Sequence, residues 1–222
     1  MSHLASPYLA PGFYAKAIAK GRHRDIVGGR WEETARIQMA ALLAEGMTPE
    51  DHLLDIGCGA LRLGHLAVPY LQPGHYWGTD ASLALMQHGR SHELADPDRL
   101  LLAQLIEDAD FAFPGIPQTI TLALAFGVFT HLPAPALTRA LTGLGRFPNL
   151  RAFLFTVFLA PVGAEATRQP DGVVTHPNRP PYHVDEAMVT DRIRAAGFSP
   201  GRRPMLLPRG QVLWAALPPQ MP

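Results

Sequence analysis

The stretch Leu53-Leu54-Asp55-Ile56-Gly57-Cys58-Gly59-Ala60-Leu61-Arg62-Leu63-Gly64 decides how the chain is read, because an apolar run stops at two glycines and resumes with helical spacing. That order predicts a strand, a tight turn and a helix. Gly57 and Gly59 remove side chains where the backbone must turn sharply and where a ligand can approach it. The opening of the following helix offers unpaired N–H groups to the same space. Glycines are also ordinary in short strand-to-helix connections, so this turn alone leaves a structural and a ligand-binding role open.

Downstream, residues 60–71 place Leu63, Leu66, Ala67 and Tyr70 on one helical face, and Pro73-Gly74 ends that helix. A second strand over 75–79 closes on Asp80, and a helix over about 83–94 is followed by the turn Asp96-Pro97-Asp98. A third strand over 101–106 closes on Glu107-Asp108. A fourth, over 119–126, gives way to Gly127-Val128-Phe129-Thr130-His131-Leu132 and then to a helix from near Pro133, striped with Leu137, Leu141 and Leu144. The fifth strand is 152–158. Strands alternating with helices predict an α/β fold with a parallel, doubly wound sheet, whose ligands sit outside the carboxyl ends of the strands.

Upstream, residues 31–45 read as a helix with Glu32 and Glu33 in its first turn and Gly46 as its stop. Residues 1–30, with Tyr8, Phe13, Tyr14, Arg22-His23-Arg24 and Gly28-Gly29, read as a helical or irregular arm. Beyond the fifth strand, Pro161, Pro170, Pro177, Pro180 and Pro181 mark an ordered but irregular excursion, and loops of this length inside a domain are usually functional or mobile. Asp185 reads as the N-cap of a helix with Val189, Ile193 and Ala196 inward and Gly197 past its end. Residues 202–207 and 211–217 predict a closing hairpin. The expected organisation is one domain over 1–222: an arm or cap at 1–46, a core at 47–159, a proline-rich loop or lid at 160–184, and a C-terminal helix and hairpin at 185–222.

Composition narrows the class. With 222 residues and 47% hydrophobic content there is ample material for a packed interior, despite 22 prolines and 20 glycines. The net charge of zero gives no global field for nucleic acid or an anionic membrane, and neither is expected as a partner. Cys58 is the lone cysteine, so no intrachain disulfide and no cysteine zinc site can form, which fits a reducing cytoplasm. No secretion signal is read at the start. The apolar runs 120–129 and 152–160 fall short of the roughly 18 residues that read as a membrane helix. His88 and His92 stand one helical turn apart, but no third ligand is placed beside them, so no metal site is expected. A strong preference for arginine over lysine, with alanine, proline and leucine abundant, suggests a GC-rich bacterial genome.

Three successive strand ends carry suitable chemistry. Asp80 stands about 20 residues beyond the glycine turn, where an acid accepts hydrogen bonds from ribose hydroxyls, and Asp108 stands where a carboxylate meets an exocyclic amine. Each taken alone is equally a cap or turn residue. Together, Leu54-Asp55-Ile56-Gly57-Cys58-Gly59, Tyr76-Trp77-Gly78-Thr79-Asp80, Glu107-Asp108-Ala109 and Ala125-Phe126-Gly127-Val128-Phe129-Thr130-His131-Leu132 resemble the four motifs of the class I S-adenosylmethionine-dependent methyltransferases, over roughly 30–158. The resemblance implies a three-layer αβα sandwich around a mostly parallel seven-stranded sheet with an antiparallel C-terminal hairpin. It implies S-adenosylmethionine as cofactor, with Asp55, Gly57, Cys58, Gly59, Asp80, Ala81, Asp108, Ala109 and Phe126 around it. Where many members have a further glycine this chain has Leu61 followed by Arg62, which either reaches the cofactor's carboxylate or lies on the surface of the first helix. A dehydrogenase reading is weaker, because Arg62 stands where G-x-G-x-x-G needs its third glycine.

The expected reaction is in-line methyl transfer to a small molecule or peptide, in a bacterial and secondary-metabolic setting. His131 is the candidate base, with capping of the next helix as its structural alternative, and Tyr14, His131, His176, Tyr182 and His183 are the candidate acceptor contacts. A fold retained for binding or partnership without transfer is the competing expectation, as is other chemistry around a bound cofactor.

Overall fold

Strand β1 (Leu53–Ile56) is buried along its whole length. It lies at the centre of the sheet, between parallel neighbours β2 (Tyr76–Asp80) and β4 (Leu122–Ala125). The computed structural model describes residues 12–26 and 29–219, so Tyr8 and Gly28 lie outside the described residues. β3 (Leu105–Glu107) pairs with β2, and β5 (Ala152–Leu159) with β4. β10 (Val212–Leu217) runs antiparallel to both β5 and β9 (Ser199–Arg203), which gives the order β3-β2-β1-β4-β5-β10-β9. Chain direction along the sheet reverses at β1, and that switch point opens a crevice at the carboxyl ends.

Unbroken apolar strands are what a sheet covered on both faces requires. Successive residues alternate between two cores: Leu53, Leu122, Leu124, Leu154 and Leu213 face Ala41, Leu42, Ala67 and Met86 of helices α3 (Trp31–Ala44), α4 (Gly64–Tyr70) and α5 (Leu83–Glu93). Leu54, Ile56, Ala123, Phe153, Phe155 and Trp214 face Leu137, Leu141, Val189 and Ile193 of helices α6 (Pro135–Leu144) and α7 (Glu186–Ala195). The three layers and the mostly parallel sheet are those expected. The arm forms α1 (Phe13–Ala19) and α2 (His23–Ile26). It is pinned to α5 where Glu93 accepts from Arg24 Nη2 at 2.6 Å and meets His23 Nε2 at 2.5 Å.

Several boundaries differ from expectation for local reasons. α4 begins at Gly64 because 57–63 are taken up by the turn, with Leu61 at φ 63°. β3 is short because Leu102–Gln104 forms a 3-10 turn, held by Gln104 Nε2 donating to the Tyr76 carbonyl at 2.7 Å. The excursion carries a hairpin of β6 (Thr167–Arg168) and β7 (Val174–Thr175), then β8 (His183–Val184), an eighth strand parallel to β5. The closing hairpin starts earlier than read, at Ser199, and a 3-10 turn over Pro208–Gly210 precedes β10.

Candidate active site

A cleft of about 570 Å³ runs along the carboxyl ends of the strands, within the range of a small-ligand site. Its first half is lined by Ile56, Gly57, Gly59, Asp80, Ala81, Asp108, Ala109 and Phe111, with Arg62 and Leu85 beside them. Its second half continues through Phe126, Val128, Thr130, His131 and Phe158 to Pro208, Arg209 and Gln211. Tyr14, Asp25, Gly29 and Arg30 contribute from the arm, and Val173 and Pro181 from the excursion.

The glycine turn is locked to the end of β2. Gly57 and Cys58 both donate to the Thr79 carbonyl, at 2.7 and 3.0 Å, and Gly59 N–H donates to Asp80 Oδ2 at 3.0 Å. Gly57 has φ 70°, and a β-carbon there would lie 2.5 Å from Val128 Cγ2, so a side chain is excluded by conformation and by space. The other Asp80 oxygen accepts from Ser82 N–H at 3.1 Å. Burial pushes Asp80 up to about 6, against the backbone N–H groups of Gly59, Ser82 and Ala81 that favour its charge. At neutral pH it is a carboxylate in a fixed orientation.

The turn also rests on a helix. Gly89 of α5 sits so close that a β-carbon would fall 2.3 Å from the Ala60 carbonyl oxygen, and in α6 one at Gly143 would fall 2.4 Å from the Phe111 carbonyl oxygen. Phe111 belongs to the loop that Asp108 organises: Asp108 Oδ1 accepts from Asp110 N–H at 2.9 Å and Ala112 N–H at 3.3 Å, and Oδ2 from Phe113 N–H at 2.8 Å. Asp108 therefore lines the cleft while most of its acceptor capacity holds its own loop.

Of the residues read as cofactor contacts, Gly57, Gly59, Arg62, Asp80, Ala81, Asp108, Ala109 and Phe126 are brought together on the cleft. Asp55 and Cys58 have side chains beneath the turn instead. Asp55 Oδ2 accepts from Tyr76 Oη at 2.7 Å, and burial pushes its carboxyl up to about 7. Cys58 Sγ packs over Gly78, where a β-carbon would lie 2.8 Å away, and burial pushes the thiol well above its ordinary range.

Of the acceptor candidates, Tyr14 and His131 line the cleft and His176, Tyr182 and His183 do not. Burial pushes His131 down to about 4, with the charge of Arg209 adding to that, so its imidazole is neutral at physiological pH. His183 is buried inside the excursion, its Nε2 at 3.0 Å from the Ala164 carbonyl and its Nδ1 at 2.9 Å from Thr175 Oγ1. His176 Nδ1 lies 3.1 Å from the Glu165 carbonyl, and Tyr182 is buried with its N–H on the Thr130 carbonyl at 2.8 Å. The excursion folds on itself, and the His176 and His183 rings lie on its own carbonyls rather than on the cleft.

The sequence reading missed Thr156, Gln211 and Arg209. Thr156, fully buried in β5, accepts from Gly127 N–H at 2.8 Å and donates to Gln211 Oε1 at 2.6 Å. A lone hydroxyl in the otherwise apolar Ala152–Leu159 was the available signal. Among the described residues no group of three or more His, Cys, Asp or Glu is arranged for a metal; His88 and His92 stack 3.9 Å apart, with His88 Nε2 3.2 Å from His23 Nδ1. No described helix is long and apolar enough to cross a membrane.

No family model matches the sequence. Among solved structures, magnesium protoporphyrin IX methyltransferase from Synechocystis PCC 6803, with bound SAH, aligns with a TM-score of 0.62 at 18% identity, over 92% of this chain and 96% of that one. It has the class I methyltransferase fold. A 1,6-didemethyltoxoflavin-N1-methyltransferase from Burkholderia thailandensis aligns at TM-score 0.60 and 16% identity, over 97% and 93% of the two chains. A glycopeptide N-methyltransferase aligns at TM-score 0.56 and 14% identity, over 82% and 87%. In this methyltransferase fold the strand order found here sets the glycine turn, Asp80 and Asp108 side by side on one stretch of the crevice.

Proposed function

We propose that this protein transfers the methyl group of S-adenosylmethionine to a small-molecule or peptide acceptor. The observation that carries the reading is the Asp80 carboxylate, fixed by Gly59 and Ser82 N–H groups at the rim of the glycine turn. A carboxylate has about four lone-pair sites, so beyond the main-chain N–H groups that hold it Asp80 keeps acceptor capacity for a ribose hydroxyl. Ala81, Ala109, Phe111 and Leu85 supply the small and apolar walls that a purine needs. The donor set thus fits an adenosyl group, with Arg62 on the same half of the cleft as a counter-charge for its amino-acid carboxylate.

When bound, that cofactor supplies a methyl group already activated on a sulfonium. The work left to the chain is to seat a nucleophile in line with it and to keep water out. Tyr14 and Arg30 from the arm, with Val173 and Pro181 from the excursion, line the cleft and narrow it for that purpose. His131, neutral and at the second half, orients the acceptor and takes a proton only from a group acidic enough to release it to so weak a base. The Synechocystis and Burkholderia proteins named above support an acceptor of small-molecule type. The arginine-rich, lysine-poor composition supports a bacterial setting, in which we place the reaction in cytoplasmic secondary metabolism, with residues 1–222 acting as one catalytic unit.

The test is a calorimetric titration with S-adenosylhomocysteine, followed by incubation of the protein with methyl-labelled cofactor and a fractionated bacterial metabolite extract. Binding and transfer of label to one fraction are expected. Failure to bind S-adenosylhomocysteine overturns the reading, and binding with no labelled product favours a binding or partner role.

A further inference from the structure

The second half of the cleft holds a hydrogen-bonded relay that methyl transfer as described above leaves without a use. Alternation along β5 puts Thr156 and Phe158 on one face, and the register Leu213↔Thr156 brings Gln211, two residues before Leu213, to that same face. Thr156 is fully buried. Its Oγ1 accepts from Gly127 N–H at 2.8 Å, and its own hydrogen goes to Gln211 Oε1 at 2.6 Å. The relay thus ties the loop after β4 to the turn before β10 through a side chain of the strand between them.

These bonds have a direction. Thr156 Oγ1 has a single hydrogen to give, and the Gln211 oxygen is the acceptor that takes it. That orients the amide, with its oxygen toward β5 and its nitrogen away from it. Gln211 lines the cleft, together with Gly127 and Phe158. Among the described residues Gln211 Nε2 donates to no acceptor, and it is not among the buried side-chain atoms shut away without a partner. Gln211 therefore offers hydrogen to the cleft, while its lone pairs are engaged by Thr156.

We infer that Gln211 Nε2 is a specificity-determining donor to a carbonyl-type oxygen of an acceptor whose apolar body lies on Phe158, and that Thr156 is the positioning residue that aims it. The inference rests on the methyl-transfer reading for calling that ligand the acceptor. A ketone, ester or amide oxygen only accepts, so it meets such a donor fully, whereas a hydroxyl brings a hydrogen for which the Gln211 side chain has no lone pair to spare. A ligand lacking the oxygen leaves the N–H group unmet once water is excluded, which is how a site built to hydrogen-bond one group rejects analogues without it.

The test titrates acetophenone, ethylbenzene and 1-phenylethanol into the full chain, with and without saturating S-adenosylhomocysteine, read by ligand-observed NMR. The three probes differ in hydrophobicity, so the readout is the change in their affinity ratios between wild type and variant. Q211M, apolar and of similar length, is expected to shift the acetophenone-to-ethylbenzene ratio about five-fold against acetophenone. Q211E replaces the donor with an acceptor and is expected to move the ratio of 1-phenylethanol to acetophenone about ten-fold toward the alcohol. T156V is expected to shift the first ratio in the same direction as Q211M, and T156S, which keeps the hydroxyl, to hold the wild-type value. Damage to the fold would weaken all three probes together and leave the ratios alone. A ratio within about two-fold of wild type in Q211M, no move toward the alcohol in Q211E, or no binding of acetophenone by the wild type overturns the inference. A wild-type ratio in T156V overturns the positioning role of Thr156. Loss of S-adenosylhomocysteine binding in Q211M, with melting unchanged, also overturns the inference, by assigning Gln211 to the cofactor. If the wild-type chain does not bind S-adenosylhomocysteine, the methyl-transfer reading fails, and the probe series without it still decides whether Gln211 is a donor to a bound ligand.

Discussion

The two halves of the cleft are built in different ways. The half around Asp80 is made of contiguous pieces, each the end of a strand and the turn that follows it, and its polar groups are held by main-chain N–H groups a few residues away or on the next strand. The half around His131 is assembled from β5, the loop after β4, the excursion and the turn before β10, with Thr156 and Gln211 meeting across 55 residues of sequence. The first is rigid by its backbone. The second is defined by side chains borrowed from distant segments, which is where differences in acceptor can accumulate without disturbing the sheet.

That contrast can be broken by experiment. Asp80→Ala removes a charged acceptor for the ribose and releases the Gly59 and Ser82 N–H groups, so S-adenosylhomocysteine should bind about 100-fold more weakly in calorimetry. A loss under three-fold would show that the carboxylate serves only the turn. The pH dependence sharpens the same point. With Asp80 pushed up to about 6, the ionised form is lost as pH falls through that value, and affinity should drop about ten-fold per unit below it in the wild type. In Asp80→Asn that slope should flatten.

Tyr76→Phe tests what lies beneath the turn. Its hydroxyl is the donor to Asp55 Oδ2, so its removal should cost about 1–3 kcal/mol in denaturant melts. Asp55 also carries a linkage with a definite sign. Its carboxyl is pushed up to about 7 in the folded chain against about 3.9 unfolded, so stability should fall as pH rises between those values and stay low above about 7. Asp55→Asn should remove that fall. On the other half, His131→Ala should lower turnover while leaving S-adenosylhomocysteine affinity within about three-fold. His183→Ala should do least to that affinity and instead destabilise the excursion by about 1–2 kcal/mol, seen as faster proteolysis near Ala164.

The same contrast explains what the amino-acid order disclosed. β1, its turn, β2 and their helices were legible because period, glycine and strand-end acid lie within a few residues of one another. The seven-strand path followed from alternation, and β8 did not, since a two-residue strand has no period to read. β9 was misplaced because Ser199-Pro200-Gly201 lacks strand propensity and is recruited by pairing with β10. His176 and His183 drew a functional reading from residue type, while the carbonyls of Glu165 and Ala164 hold their rings. Arg209 and Gln211 carried no local signal, because their meaning depends on Thr156 and on Pro170.

Gly89 and Gly143 have a consequence for how this chain can drift. In most helices exchanging glycine for alanine gains about 1 kcal/mol of propensity, and selection for robustness would favour it. At these two notches the added methyl would act as a wedge against a carbonyl of a cleft-bearing loop. Helix positions that line no part of the crevice are therefore as constrained as those that do, and a thermostabilising library built on propensity should leave both untouched.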